Sequence, residues 1–488
     1  MGRQEIAGRA VFTALAAWAF VAFPAVALSA APELFLGEEP ESYVVIDKLE
    51  GMGLLPDLVT GDRPLEAREV AREAKKAGST DDPFTDGMLR FLGMGDDLRF
   101  DFRLRAGGGY SGEPEVPPNA QGFPVPKGGW VRAGGFFRSS PAHWLAVQAR
   151  GDGLWDFGDE TIGRLGETSA RVGWPQATLE AGRFSLWWGP GRHGALLFTT
   201  NAQPLTGVRF RNPRPIALGW PLRFLGLFQY DFFIARLEGS RPIPHTLLSG
   251  IRLALRPGRH VEVGVSRAVH YGGSGRGNGL RDWWDAFKGG SANDPGTTGN
   301  QLGGADISIT LPFRVQPVRL YGEAAGEDQA RGHIVPLPSK WAYLAGIFLP
   351  SVLGSARWDL RAEAAANHVR GNGPAWYVHS QPEYAHRYRG QILGHPMGTD
   401  ARDLFLEARY FMLPSSYIEV NLDRTERMSP GPAKEKATRV GAGLIAWLTK
   451  NWRAEARVAI DRVSNQGGTP GKDSSDVPVQ FNLSCQYR

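Results

Sequence analysis

Cysteine is nearly absent: Cys485 is the single thiol in 488 residues. That excludes an intramolecular disulfide and a thiolate metal centre, and no cysteine follows the amino-terminal apolar run to accept a lipid anchor. Also missing, beyond the first thirty residues, is any apolar run long enough for a transmembrane helix. Neither sign of charge dominates, since 55 Lys+Arg stand against 50 Asp+Glu. The small basic surplus is scattered over the chain, which argues against a nucleic-acid partner. For an exported protein, anionic lipopolysaccharide and acidic polysaccharide are the partners such a surplus would meet.

What is abundant is glycine, 63 residues, together with 15 tryptophans and an aromatic content of 11%. With a negative mean hydropathy, this composition suits many short strands joined by polar loops. Residues 1–30 stand apart. Arg3 and Arg9 precede an apolar run from Ala10 to about Ala27, broken at Pro24 and closed by Ala27-Leu28-Ser29-Ala30. This is the pattern of a cleaved secretory signal peptide. Residues 31–96 read as a small helical region. Tyr43, Ile46 and Leu49 recur at helical spacing before Gly51, a second helix is expected from Pro64 to Gly78, and Asp82-Pro83 opens a third through Met88 and Leu92.

From residue 97 to 488 the period becomes two. Leu98, Phe100, Phe102 and Leu104 alternate with Arg99, Asp101, Arg103 and Arg105. Trp358, Leu360, Ala362 and Ala364 alternate with Arg357, Asp359, Arg361 and Glu363, and similar runs recur to Tyr487. A soluble sandwich also alternates, so loop length is the discriminator. Outer-membrane barrels alternate short periplasmic turns with long extracellular loops. Eighteen strands are expected, an even number. Short turns such as Arg138–Pro141, Arg256–Arg259 and Met412–Ser415 alternate with long segments at 109–129, 151–166, 185–205, 270–302, 326–340, 367–402, 425–437 and 464–476. The connections at 213–222 and 239–246 fit least well. Trp130, Trp144, Trp174, Trp341, Trp358, Trp447 and Trp452 fall near strand ends, where amphipathic rings line the two membrane interfaces. The fold expected is an all-β transmembrane antiparallel barrel of about eighteen strands behind a small periplasmic α-helical region.

The stretch Ala181-Gly182-Arg183-Phe184-Ser185-Leu186-Trp187-Trp188-Gly189-Pro190-Gly191-Arg192-His193-Gly194, with Leu196-Leu197-Phe198 and Asn201-Ala202 behind it, resembles the signature of the Wzi capsule-assembly family. Similar stretches follow in order: Ser249–Leu253, Val261–Arg267, Leu320–Glu323 with Glu327-Asp328, and Gly394–Ala401. The resemblance implies an outer-membrane barrel with a periplasmic helical bundle, lectin-like, holding capsular polysaccharide at the cell surface. The chain departs from the usual outer-membrane ending in that Arg488 follows the last aromatic, Tyr487.

Sugar rings stack their C–H faces on aromatic planes, and Arg, His and Asn bond hydroxyls and carboxylates. The loop residues able to do this are Trp187, Trp188, Arg192, His193, Asn201, Trp283, Trp284, Trp376, Tyr377, His379, Tyr384, His386, Arg387 and Tyr388. The same aromatics would equally pack long loops over a barrel mouth. Glu323, Glu327 and Asp328 have the residue types of a glycosidase pair. Lumen charge pairing of Glu323 with Arg357 and Arg361 is the expected alternative. His193, His379, His386 and His395 lack the close spacing of zinc ligands, so neither metal nor other cofactor is expected. Gly272–Gly277 has phosphate-loop composition without the following Lys-Ser. Lys48, Arg63, Arg68, Arg72, Lys75 and Lys76 give the helical region a basic face, solvated or docked on periplasmic export machinery. The expected function is non-enzymatic binding of capsular or exopolysaccharide by a protein seated in outer-membrane lipid. A porin or polysaccharide-export channel is the alternative.

Overall fold

A computed structural model describes residues 30–36, 39–97, 100–158, 161–288, 299–329, 338–369, 373–428 and 431–487. The expected signal segment, apart from Ala30, lies outside the described residues, as do the middles of two expected loops, 289–298 and 330–337. Eighteen antiparallel strands close one barrel. They are β1 Phe100–Ser111, β2 Gly128–Ala142, β3 Leu145–Asp156, β4 Thr161–Trp174, β5 Ala177–Phe184, β6 Leu205–Arg211, β7 Leu227–Arg236, β8 Leu247–Gly258 and β9 Val261–Tyr271. There follow β10 Asn300–Leu311, β11 Val318–Gln329, β12 Pro338–Leu349, β13 Trp358–Ala366, β14 Ala401–Leu413, β15 Ser416–Arg427, β16 Glu435–Trp447, β17 Trp452–Ser464 and β18 Val479–Tyr487. Each pairs with its neighbour in sequence, and β18 closes on β1 from Phe102↔Tyr487 to Tyr110↔Val479.

The wall has its polarity inside out. Phe102, Leu104, Ile307, Leu320, Leu360, Leu404, Val420, Ile460 and Phe481 are exposed on the outer face, while the intervening Asp101, Arg103, Asp306, Arg319, Arg361, Asp403, Glu419 and Asn482 are buried. A water-soluble barrel needs the reverse arrangement, so this is a membrane-spanning barrel with a polar lumen. Trp144, Trp341, Trp358 and Trp452 are exposed near strand ends, as an interfacial girdle requires. Two of the expected girdle residues turn inward instead. Trp130 packs with Phe123 and Leu154, and Trp447 lies beneath the Arg103 guanidinium.

The alternation of short turns and long connections is present, with both described ends of the barrel chain on the short-turn side. One expected loop is largely strand: within 151–166, β3 and β4 stay paired from Gly151↔Leu165 to Trp155↔Thr161. Gly151, Gly153 and Gly163 hide the period there, because they leave gaps between the apolar side chains of Trp155 and Leu165.

Three helices, α1 Pro40–Gly51, α2 Ala67–Lys76 and α3 Pro83–Gly93, fill the short-turn end of the lumen. The Asp82 carboxylate caps α3 by accepting from the N–H groups of Phe84 and Thr85, both at 3.1 Å. Helix α2 begins at Ala67 rather than Pro64, because Asp62–Arg63 is held extended as a short strand. Tyr43, Ile46, Leu49, Val70, Met88 and Leu92 form one apolar cluster with Phe411, Tyr417 and Ile445 of the wall. At the wall this plug presents carboxylates to arginines. Glu39 meets Arg138 at 2.7 Å, Glu41 meets Arg453 at 3.3 Å, Glu50 meets Arg319 at 2.7 Å, and Glu33 meets Arg211 at 3.1 Å. Asp47 bridges Arg63 of the plug at 2.5 Å and Arg361 of the wall at 3.3 Å. The expected basic face is therefore not continuous. Lys48 is buried beside Asp359 and Arg63 beside Asp47, which leaves Arg68 and Arg72 partly exposed and Lys75 and Lys76 towards solvent.

Candidate functional site

Two inserted segments meet inside the barrel. The connection between β5 and β6 descends from the long-loop end, and its Trp187–Trp188 pairs antiparallel with Arg63–Asp62 of the plug. At the junction the Gly189 N–H donates to the Gly61 carbonyl at 2.8 Å. Gly189 has φ of +132°, and a Cβ there would lie 2.2 Å from Glu323 Oε1, so glycine is required on both counts. Trp188 is fully enclosed. Its Nε1 donates to Asp231 at 3.0 Å and its ring meets Phe198 and Phe233 edgewise or tilted.

Over this junction folds the connection between β13 and β14. Tyr377 donates from its hydroxyl to the Leu196 carbonyl at 2.8 Å, and His386 Nε2 donates to the Leu197 carbonyl at 2.7 Å. Burial drives the His386 imidazole down to about 4, with Arg241 adding to the effect. His395, also buried and facing His193, is held well below the ordinary histidine range. Three wall carboxylates fix the inserted backbone. Glu363 accepts from the N–H groups of Arg192 at 2.7 Å and His193 at 2.9 Å, Glu323 from Leu196 at 2.8 Å, and Glu327 from Tyr377 at 3.2 Å.

These bonds replace the pairing expected for Glu323. Arg361 instead joins Asp47, Glu363 and Glu407, and Arg357 donates to the carbonyls of Phe411 and Met412 at the short-turn end.

Most of the aromatic candidates are thus interior groups. Trp187, Trp188, Asn201, Trp376, Tyr377, Tyr384, His386 and Tyr388 are buried. Arg192, His193, His379 and Arg387 are partly buried. Trp283 and Trp284 lie on α4, Leu280–Lys288, outside the wall of β8 and β9. Trp283 donates to Ser249 Oγ at 2.9 Å, while Trp284 is half exposed.

The inserted segments do not fill the lumen evenly. Against β15, β16 and β17 they leave a cavity of about 600 Å³ towards the long-loop end, with His193, Asn201, Arg387, Asp423, Arg427 and Arg439 in its lining. A second cavity, of about 410 Å³, runs deeper towards Tyr43 and Arg63 of the plug. Glu115, Pro118, His193, Asp423 and Arg439 border both, so they form the neck between the two spaces. His193 Nε2 stands 3.4 Å from an oxygen of Asp403 and 3.4 Å from one of Asp423. Burial opposes charge on this imidazole, but the two carboxylates outweigh it and raise its pKa above the ordinary value. Sequence spacing compared histidines with one another and so passed over this trio, which joins a loop to two strands.

The model of the family described as capsule assembly protein Wzi matches residues 98–476, most of the chain. The chain belongs to that family. The Wzi of Escherichia coli, described as an outer membrane protein involved in group 1 capsule assembly and a carbohydrate-binding β-barrel, superimposes with a TM-score of 0.75. That match has 21% identity and covers 93% of this chain and 99% of the other. A Klebsiella pneumoniae protein of 55.8 kDa from the cps region is 31% identical over 293 residues, 58% of this chain. That match spans 56% of the relative's own length. In this Wzi-family chain the residues that carried the resemblance have a common physical basis. Ser185–Gly194 is the segment that meets the plug, and Gly394–Ala401 closes over it. Gly194 leaves room for the His395 ring, whose nearest atom would lie 2.1 Å from an added Cβ.

Proposed function

We propose that this Wzi-family chain resides in the outer membrane, exported by a cleaved amino-terminal signal, and binds capsular or exopolysaccharide at the cell surface without a chemical step. The short-turn end with its helical plug faces the periplasm in this reading, and the long-loop end faces out. Arg72, Lys75 and Lys76 of α2 would then be the plug's contact for export machinery.

The cavity of about 600 Å³ beside β15–β17 carries the proposal. It sits at the long-loop end, and His193, Asn201, Arg387, Arg427 and Arg439 supply the donors that sugar hydroxyls and carboxylates accept from. The carboxylates that resembled a glycosidase pair support the same reading, since Glu323 and Glu327 already accept from loop backbone. In this reading Arg192, His193, Asn201, His379, Arg387, Trp283 and Trp284 are the candidates for glycan contact. The enclosed aromatics act by holding the loops that present them.

Arg387→Ala removes a charge-assisted donor worth roughly 1.5–3 kcal/mol, about ten- to a hundred-fold in affinity. Purified capsular polysaccharide should therefore bind the variant at least about ten-fold more weakly, with heat-modifiable barrel mobility unchanged. Equal binding by both proteins would remove the cavity from the site.

A further inference from the structure

Inside this barrel, several neighbouring carboxylates share arginines. Glu407 and Glu419 flank Arg409, and Glu419 and Glu455 flank Arg457. Asp403 and Asp423, on the same strands β14 and β15 nearer the long-loop end, are an exception. Among the described residues the one ion-pair partner of either is the His193 imidazole. Two carboxylates therefore face a group able to carry a single positive charge. Asp403 is almost wholly enclosed, with its side chain 2% exposed. Asp423 Oδ1 is buried without a hydrogen-bond partner among the described residues.

We infer that His193 Nε2, Asp403 and Asp423 form a three-ligand site for a divalent cation of the zinc class. The ligand atoms all lie within 4.8 Å of one another. Around a tetrahedral zinc with bonds of about 2.0–2.1 Å, neighbouring ligand atoms stand about 3.3–3.5 Å apart. The two His193–carboxylate separations, 3.4 Å each, match that spacing. One imidazole with two carboxylates favours zinc over calcium or magnesium, which prefer all-oxygen shells.

The surroundings hold the ligands in this arrangement. The His193 ring stacks on Phe405 at 4.2 Å and 9°, and its backbone N–H is fixed by Glu363. Thr425 donates its hydroxyl to Asp403 Oδ1 at 2.7 Å, which orients the other oxygen towards the imidazole. His193 and Asp423 border both cavities, so the fourth coordination position opens into their neck, where water or another oxygen ligand completes the shell. The site stands on the positions of these three residues and is independent of the polysaccharide reading.

The test uses full-length protein purified without a polyhistidine tag, stripped with chelator and titrated with Co²⁺ and then Zn²⁺. The wild type should take up one equivalent of Co²⁺ with a visible absorption of four-coordinate cobalt, and Zn²⁺ should displace it. His193→Gln and Asp423→Asn should each weaken uptake at least ten-fold, and Thr425→Val by a smaller factor. No cobalt absorption in the wild type overturns the inference, a result that depends on no variant. Zinc uptake unchanged in folded Asp423→Asn overturns it equally.

Discussion

At the scale of single residues, burial decides what each candidate side chain can do. Trp188 is enclosed by Phe198, Phe233 and Asp231, so Trp188→Ala should destabilise the folded loops by about 3–5 kcal/mol. Trp284→Ala, at a half-exposed ring, should change stability by less than about 0.5 kcal/mol. Thermal unfolding of the two variants checks the contrast. His386 supplies a pH dependence of definite sign. Its folded pKa of about 4 lies below the unfolded value of about 6.5, so the unfolded loop binds more protons between these values. The stabilisation is fully present above about pH 6.5 and is lost as pH falls towards 4. Hydrogen exchange of residues 373–400 should accelerate across that window, and His386→Asn should flatten the response.

Residue types at this scale were visible in the sequence, but their surroundings were not. Trp376 and Tyr377 looked like sugar platforms because nothing local distinguishes a loop that folds inward from one that stands in solvent. Glu323 faced the lumen as expected, yet its partner is the Leu196 N–H, a backbone group that no pattern of charges reveals.

At the scale of elements, the plug is held by carboxylates set against wall arginines across long sequence distances. Asp47→Ala would leave Arg63 and Arg361 short of their shared anion. Breaking a buried pair in this way costs about 3–5 kcal/mol, so the variant should show earlier proteolysis within residues 39–97 while the barrel still resists heat. The wall strands were legible in the sequence, because lipid outside and charge inside impose a period of two that survives at Phe100–Arg105 and Trp358–Ala365. The period fails in 151–166, where Gly151, Gly153 and Gly163 interrupt the apolar side of the paired ladder. Trp130 and Trp447 were misplaced for a related reason, since closeness to a strand end does not say which way a ring points.

At the scale of the whole molecule, two segments entering from opposite ends join as one sheet at Asp62–Arg63 and Trp187–Trp188. That junction, together with the loop cluster around Leu196, Tyr377 and Met397, narrows the lumen at its centre to the cavities beside β15–β17. In planar bilayers the protein should therefore lack the steady large conductance of an open porin. Asp47→Ala should introduce intermittent openings. Such a junction brings together residues more than a hundred positions apart, which is why strand periodicity predicted the wall but not the obstruction within it.

In the proposed reading, a closed barrel presents a polar cavity to polysaccharide and does no chemistry on it. Incubating the purified protein on an array of capsular and exopolysaccharides tests this most directly. Saturable retention of one polysaccharide class, recovered at full chain length and reduced at least ten-fold by Arg387→Ala, is the predicted result. Retention of no polysaccharide, or release of shortened chains, would contradict it.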